Sequence, residues 1–307
     1  MKESMQTDTA IRYKTNKNLF LKAEGFRLLN LKADALYIPA GREYNHLLLL
    51  MEGNLQVSCN QFVRRIVQGN ECVLIPLGAD VKCKALSECK LVCFSFYSLP
   101  ADYNGSYMSD LYQTAAGMEY SFEPIPIREP IQKFLTLLLG YFNAGIDSPE
   151  LQKVKYQEFF LSLQAFYNTE EVAYLLHPLI GKNPSFRLEV LLHYQKVNRA
   201  EDLAALLEME NRAFSRQIKE EFGLPPYQWL LRQKAGHIYF SLREEKEKPL
   251  ETIWLEHGFH YAGHFSRFCK EQFGVSPLKI RNASRHSEEH AARSTQHGFS
   301  PSLVERG

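Results

Sequence analysis

Ten residues are written twice in this chain. Phe214-Ser215-Arg216-Gln217-Ile218-Lys219-Glu220-Glu221-Phe222-Gly223 returns 51 residues later as Phe265-Ser266-Arg267-Phe268-Cys269-Lys270-Glu271-Gln272-Phe273-Gly274, with seven of the ten positions identical. A proline follows each copy at the same distance, Pro226 and Pro277. A short amphipathic helix used twice, with the same inward and the same outward residues, suits a rod-like target whose surface features recur. Duplex DNA is the obvious one.

On a helix, residues three and four apart share a face. In the first copy Phe214, Ile218 and Phe222 form an apolar stripe, and Arg212, Ser215, Arg216 and Lys219 form a polar one, with Asn211 just ahead of it. In the second, Phe265, Cys269 and Phe273 point inward, and Gly263, Ser266, Arg267 and Lys270 point out, with Ala262 and His264 beside them. The outward residues are what a major-groove helix needs. Arginine can fork onto guanine, lysine neutralises phosphate, and small residues permit close approach.

Each copy has a partner helix upstream. Ala200–Leu207 meets a break at Glu208-Met209-Glu210, and Leu250–His257 meets one at Gly258-Phe259. Helix, tight turn and second helix make a helix-turn-helix. Pro226–Leu242, carrying Trp229, Leu230, Ile238 and Leu242, is expected to form a connecting helix that holds the reading helices about one DNA turn apart, roughly 34 Å. Between Pro184 and Arg281 fifteen Lys/Arg face thirteen Asp/Glu. That slight positive excess suits moderate, salt-sensitive binding and not a histone-like coat.

The rest of the chain reads differently. With 307 residues it is long enough for two ordinary domains, and its 45% hydrophobic and 23% charged content is that of a soluble globular protein. Residues 20–100 look like β structure: the apolar runs Leu47–Met51, Ile66–Val67, Cys72–Pro76 and Leu91–Tyr97 are separated by Gly41, Gly53, Gly69 and Gly78, and Leu55, Val57 and Cys59 alternate with polar residues. Residues 101–123, with a turn at Asn104-Gly105, read as a connection. From about 127 the period changes to that of helices. Ile131, Phe134, Leu135, Leu138 and Leu139 share one face, and a second helix over 149–167 opens on Ser148-Pro149-Glu150 and carries Leu151, Val154, Phe159, Leu163 and Phe166. These two stripes are expected to pack on the β domain or, as the slightly favoured reading, against a second subunit. The tail from Asn282 to Gly307 is read as disordered.

The polar Met1–Lys14 lacks the apolar core of a secretory signal, and no apolar run is long enough to span a bilayer, so a cytoplasmic protein without a membrane partner is expected. Of the six cysteines, at 59, 72, 83, 89, 93 and 269, none forms a CxxC pair. They are read as reduced, buried residues with no metal or other cofactor. His46 reads as a structural histidine. Tyr37, Tyr44, Phe62, Phe94 and Phe96 could line a pocket but are mostly expected in the core. No Gly-x-Ser-x-Gly or phosphate-cradling loop is present, and no catalytic residue is expected.

The run Ile253-Trp254-Leu255-Glu256-His257-Gly258-Phe259, then Phe265-Ser266-Arg267, then Phe273-Gly274-Val275-Ser276-Pro277 and Arg281, resembles the C-terminal signature of the AraC/XylS family of bacterial transcription regulators. The resemblance covers about 185–281. It implies two helix-turn-helix units on a linker helix, entering successive major-groove segments, in regulators that are most often activators contacting RNA polymerase. Some positions depart from the pattern. Trp254 replaces a small residue, Glu208 replaces the turn glycine, Glu210 takes the usual Ser cap place, and Lys234 replaces an arginine. The 20–100 segment is similar, more weakly, to the cupin-like barrel of that family, through Gly53 and Ile75-Pro76-Leu77-Gly78. Val81 and Leu48 stand where metal-bearing cupins have histidines.

The expected fold is therefore α+β: a cupin-like β-barrel (1–123), a helical connector with a possible dimerisation role (124–182), an all-α DNA-binding domain (183–281) and a tail (282–307). The expected function is sequence-specific binding of double-stranded DNA in transcription regulation, with a small-molecule effector, RNA polymerase and a second copy as further partners. Two alternatives stay open: a metal-dependent cupin enzyme with an accessory helical domain, and a weakly selective architectural DNA binder.

Overall fold

The computed structural model describes residues 25–100 and 106–283. The turn at Asn104-Gly105 and nearly all of the tail expected to be disordered lie outside the described residues. By its own contacts the chain divides into two compact units. One runs through Val57 and resumes over Arg64–Leu230; the other combines Ser58–Val63 with the chain from Leu231 onward.

In the first unit the strands follow as β1 (Gly25–Leu31), β2 (Leu36–Tyr37), β3 (Asn45–Glu52), β4 (Asn54–Cys59), β5 (Phe62–Gln68), β6 (Glu71–Ile75), β7 (Val81–Ala85), β8 (Cys89–Phe96) and β9 (Ile125–Pro126). They form two sheets, β1-β8-β3-β6-β9 and β2-β7-β4-β5. That strand order is the double-sheet jelly roll of cupin-like domains. The expected apolar runs are the central strands β3, β6 and β8, and they are buried on both faces. The turn between β3 and β4 requires Gly53, at φ 93°, because a Cβ there would overlap the carbonyl oxygen of Glu88.

Alternate residues of the larger sheet, Phe26, Leu47, Leu49, Cys72, Leu74, Val92, Phe94 and Phe96, join a core completed by helices. Phe26 and Phe94 stack at 4.0 Å across the β1–β8 register. The helices are α1 (Ser106–Ala116), α2 (Glu129–Asn143), α3 (Pro149–Phe166) and α4 (Thr169–Leu175). In α2 the stripe Ile131, Phe134, Leu135, Leu138 and Leu139 is buried as the periodicity predicts. It belongs to the core it shares with the sheet, so the leaning toward a subunit interface is corrected for this face. Burial within one unit needs no association entropy.

Three sequence expectations fail here. The stretch read as a connection contains α1, which buries Met108, Leu111 and Ala115. A third helix, α4, follows the two expected. It is too short for a helical period to show, although Asn168 and Glu171 form a full capping box at its start. In α3, Val154 and Phe166 are exposed, and the buried face is Lys155, Phe159, Phe160 and Leu163. Lys155 is not among the apolar positions that the spacing picks out, yet it is buried. Its ammonium meets Glu158 at 2.6 Å and lies 5.1 Å from the Phe134 ring, so a charge is held inside the apolar face.

Of the five aromatic residues considered for a pocket, Tyr37, Phe94 and Phe96 are buried, with Phe94 and Phe96 in the core beneath the helices. All six cysteines are buried, and none is in a disulfide. Among the described residues, no helix is long and apolar enough to cross a membrane.

The first unit continues with α5 (Pro184–His193), a 3₁₀ turn over Tyr194–Lys196, α6 (Ala200–Leu206) and α7 (Asn211–Phe222). The helix α8 (Pro226–Glu244) carries the chain into the second unit, which contains α9 (Leu250–Glu256), α10 (Ala262–Phe273) and α11 (Pro277–Asn282). The expected connecting helix is thus present, two residues longer at its end.

Candidate nucleic-acid interface

Each helix-turn-helix has its own core. Leu203 and Ala204 of α6 and Phe214 and Ile218 of α7 pack with Phe186, Val190, Tyr194 and Trp229. In the second unit Ile253 of α9 and Phe265, Phe268, Cys269 and Phe273 of α10 pack with Ala235, Ile238, Tyr239 and Leu242 of α8. Val63, at the tip of the β4–β5 hairpin, belongs to this second core. Arg243 closes it: fully buried, it donates to the carbonyls of Ile280 (2.9 Å) and Ala283 (2.7 Å) and so ties α8 to α11.

The repeat folds twice into the same object. Both α7 and α10 have 12 residues and end on a left-handed glycine, Gly223 (φ 73°) and Gly274 (φ 72°). The glycine N–H bonds Lys219 O at 3.0 Å in one and Lys270 O at 2.9 Å in the other. The two helices start alike as well: neither Glu210 nor Tyr261, the residues before them, caps the backbone with its side chain.

The inward stripes lie where the spacing put them, except that Phe222 is only half-buried, its ring tilted against Trp229 with centroids 4.6 Å apart. Outward, α7 exposes Asn211, Arg212, Ser215, Arg216 and Lys219. Helix α10 exposes Ala262, Gly263, His264, Arg267 and Lys270, with Ser266 half-buried. Each helix thus gathers its own candidates on one surface. Among the described residues, no ion pair engages Arg212, Arg216, Lys219 or Lys270, while Arg267 faces Glu271 at 3.7 Å. Cations without internal partners on a helix face can neutralise phosphate or fork onto a base edge.

The departures noted in the sequence are accommodated locally. Glu208 adopts φ 54°, the left-handed conformation that Gly258 (φ 73°) adopts after α9. Trp254 is partly buried beside Phe265, and the ammonium of Lys234 sits 4.4 Å from the Phe259 ring, where burial lowers its pKa.

Sequence reasoning missed a buried ion pair behind the first reading helix. Arg187 of α5 donates to the carbonyls of Pro178 and Glu221, each at 3.0 Å, and lies 4.6 Å from the Phe222 ring. Its guanidinium is 4.0 Å from the Glu221 carboxylate, which also accepts the Asn183 N–H. Burial lowers the Arg187 pKa to about 10 and raises that of Glu221. One signal was available. Glu221 is a position where the two copies differ, opposite Gln272.

In the β domain, His46 is buried with both ring nitrogens engaged. Nε2 donates to Gly41 O and Nδ1 accepts from the Ser95 hydroxyl, each at 2.9 Å. Burial lowers its pKa to about 4, which keeps it neutral. This is the structural histidine the sequence suggested.

A family model described as "Helix-turn-helix domain" matches residues 203–283. The HTH-type transcriptional activator RhaS of Klebsiella pneumoniae (strain 342) is 31% identical over 104 residues, which are 32% of this chain and 37% of the relative. The probable transcriptional regulator LumQ of Photobacterium leiognathi is 26% identical over 89 residues, 29% of this chain and 36% of the relative. The chain thus matches little more than a third of the length of these curated relatives. Among solved structures, ToxT from Vibrio cholerae strain SCE256, bound to an unsaturated fatty acid, is similar over 87% of this chain and 97% of its own, at 13% identity and a TM-score of 0.38. A cupin-2 domain protein from Shewanella frigidimarina is similar over 22% of this chain and 65% of its own, at 25% identity and a TM-score of 0.20. Residues 203–283 are thus an AraC-type helix-turn-helix domain.

Proposed function

We propose that the protein is a sequence-specific DNA-binding transcription regulator whose helices α7 and α10 each enter a major groove. One observation carries this reading. Two separately packed helix-turn-helix units present the same Ser-Arg-x-x-Lys face, and Arg216, Lys219 and Lys270 on it make no ion pair among the described residues. Arg216 and Arg267 are the base readers, and Lys219 and Lys270 the phosphate contacts. Gene activation through RNA polymerase is the outcome proposed.

The β domain senses a small molecule or sets the oligomeric state. A ligand there can change DNA affinity only as far as it binds one arrangement of the protein better than another. For a second copy, the surface proposed is the outer face of α3, where Val154, Leu161 and Phe166 are exposed side by side around a shallow apolar groove. The enzyme reading would need imidazoles free to ligate a metal, and both ring nitrogens of His46 are already bonded within the fold.

The experiment is selection from a random DNA library followed by footprinting. Two contacted blocks about 10–10.5 base pairs apart on one face of the duplex are expected. Arg216→Ala or Arg267→Ala should each cost about 1–3 kcal/mol at the selected site and relax base choice in one block. Unchanged affinity and preference in both variants would refute the reading, and a selection without a motif would support the architectural alternative.

A further inference from the structure

The two reading helices match everywhere along their outer faces except in the first turn. Ser215, Arg216 and Lys219 of α7 stand opposite identical residues, Ser266, Arg267 and Lys270 of α10. One turn earlier, Asn211 stands opposite Ala262 and Arg212 opposite Gly263. The register is secure because both helices have the same length and the same glycine stop. All four first-turn residues are exposed.

Nothing inside the fold accounts for a glycine at 263. Its φ is not left-handed, and a Cβ built there meets no atom within 4 Å. A helical glycine is less stable than alanine, so the position pays in stability for lacking a side chain. At the matched place in α7, Arg212 is exposed and makes no ion pair among the described residues. The outward residues of α10 near that turn are Tyr261 and His264, whose rings lean on each other with centroids 5.7 Å apart. His264 corresponds to Ala213, which is half-buried, so it lies to one side of the face that Asn211 and Arg212 define.

In helix-turn-helix docking the N-terminal residues of the second helix meet base edges. Asparagine pairs two-fold with adenine and arginine with guanine, whereas alanine and glycine offer no hydrogen bond. We propose that Asn211 and Arg212 are specificity residues that α10 lacks, so that α7 reads a longer block of bases than α10. The target is then two unequal blocks, and the chain binds it in one orientation only. This rests on the proposed function, since both helices must reach a groove.

Three full-length proteins are put through the same library selection: the natural chain, Arg212→Ala and Gly263→Arg. The natural chain should yield one long and one short block, the long one being the block that Arg216→Ala blurs. Arg212→Ala should erase a guanine from it, lowering affinity for the selected site by about five- to 150-fold. Gly263→Arg should fold normally, because its Cβ has open space, and should add a guanine at the matching place in the short block. A melting temperature for each variant separates lost reading from lost folding. Two equal blocks, or a motif unchanged by both substitutions while Arg216→Ala alters it, overturns this inference and leaves the regulator reading standing. A natural chain that selects no motif overturns both.

Discussion

Replacing Glu208 by glycine should make the protein more stable, although it removes a side chain and adds backbone freedom. After α6, Glu208 sits at φ 54°, its N–H on Ala205 O at 3.1 Å and the following Met209 N–H on Ala204 O at 2.9 Å. After α9, Gly258 sits at φ 73°, its N–H on Leu255 O at 2.9 Å and the Phe259 N–H on Trp254 O at 2.8 Å. The turn is the same, but one copy fills its left-handed position with a glutamate. That conformation costs an L-residue about 1–2 kcal/mol, from the approach of Cβ to the next carbonyl. Glycine escapes this cost but loses about 0.5–1 kcal/mol more conformational entropy on folding. The net for Glu208→Gly is a gain of up to about 1.5 kcal/mol. Gly258→Ala should lose a similar amount, and for the backbone reason alone, because a Cβ at 258 meets nothing within 4 Å. Hydrogen exchange of the α6–α7 and α9–α10 amides reads each unit separately, so unfolding of the whole chain need not be two-state. Protection should rise in the first unit for Glu208→Gly and fall in the second for Gly258→Ala. Changes of the same sign in both, or a loss on Glu208→Gly, would refute the reasoning.

Two further outcomes follow from buried charge. Arg187→Met strips the cation from the buried Glu221 carboxylate and should destabilise the first unit by about 3–5 kcal/mol in urea unfolding, with Arg187→Met/Glu221→Leu recovering much of that loss. A double variant no better than the single one would show that the pair's charges are not what matters. His46 has its pKa lowered to about 4, so between pH 6.5 and 4 the unfolded chain takes up a proton that the folded chain refuses. Stability should therefore fall as pH drops through that window, by at most about 1.4 kcal/mol per pH unit from this residue. His46→Gln should flatten that slope in thermal melts, and an unaltered slope would mean that His46 does not carry it.

The helices that carry the candidate interface were legible because local rules set them. The 3.6-residue period, the glycine stops and the turn residues all act within a few positions: α6 and α9 begin where those rules put them and end one residue earlier, and α7 and α10 stop at the repeated glycines. The strands were legible for the same reason, through apolar runs bounded by glycines and, in β4, through period-two alternation. What escaped depends on partners distant in sequence. Lys155 is buried because Phe134 and Tyr141 lie above it, and Val154 is exposed because Phe160 takes the inward place. Arg187 and Glu221 are 34 residues apart, and either alone reads as a solvated charge. Helix α1 has a weak apolar stripe of three small and medium residues, which only the completed core makes sufficient.

The pattern of differences within the repeat bears on why it exists. Three of the ten positions differ: Gln217 and Phe268, Ile218 and Cys269, Glu221 and Gln272. All of these residues are buried or half-buried. Phe268 enters the second core, and Glu221 meets Arg187 behind the first helix, so each difference faces surroundings peculiar to its own unit. The outward positions, Ser215, Arg216, Lys219 and Glu220, are identical to their counterparts. A duplicated helix shaped only by folding would show the reverse, because cores tolerate few changes while solvated faces accept most substitutions at little cost. Inward, Phe214 and Phe222 are kept and Ile218 is not, whereas every exposed position of the ten is kept, as a constraint outside the molecule that meets both helices alike would demand. A duplex presenting equivalent phosphates and base edges at each turn is such a constraint. It would release only those outward positions at which the two stretches of sequence being read are not the same.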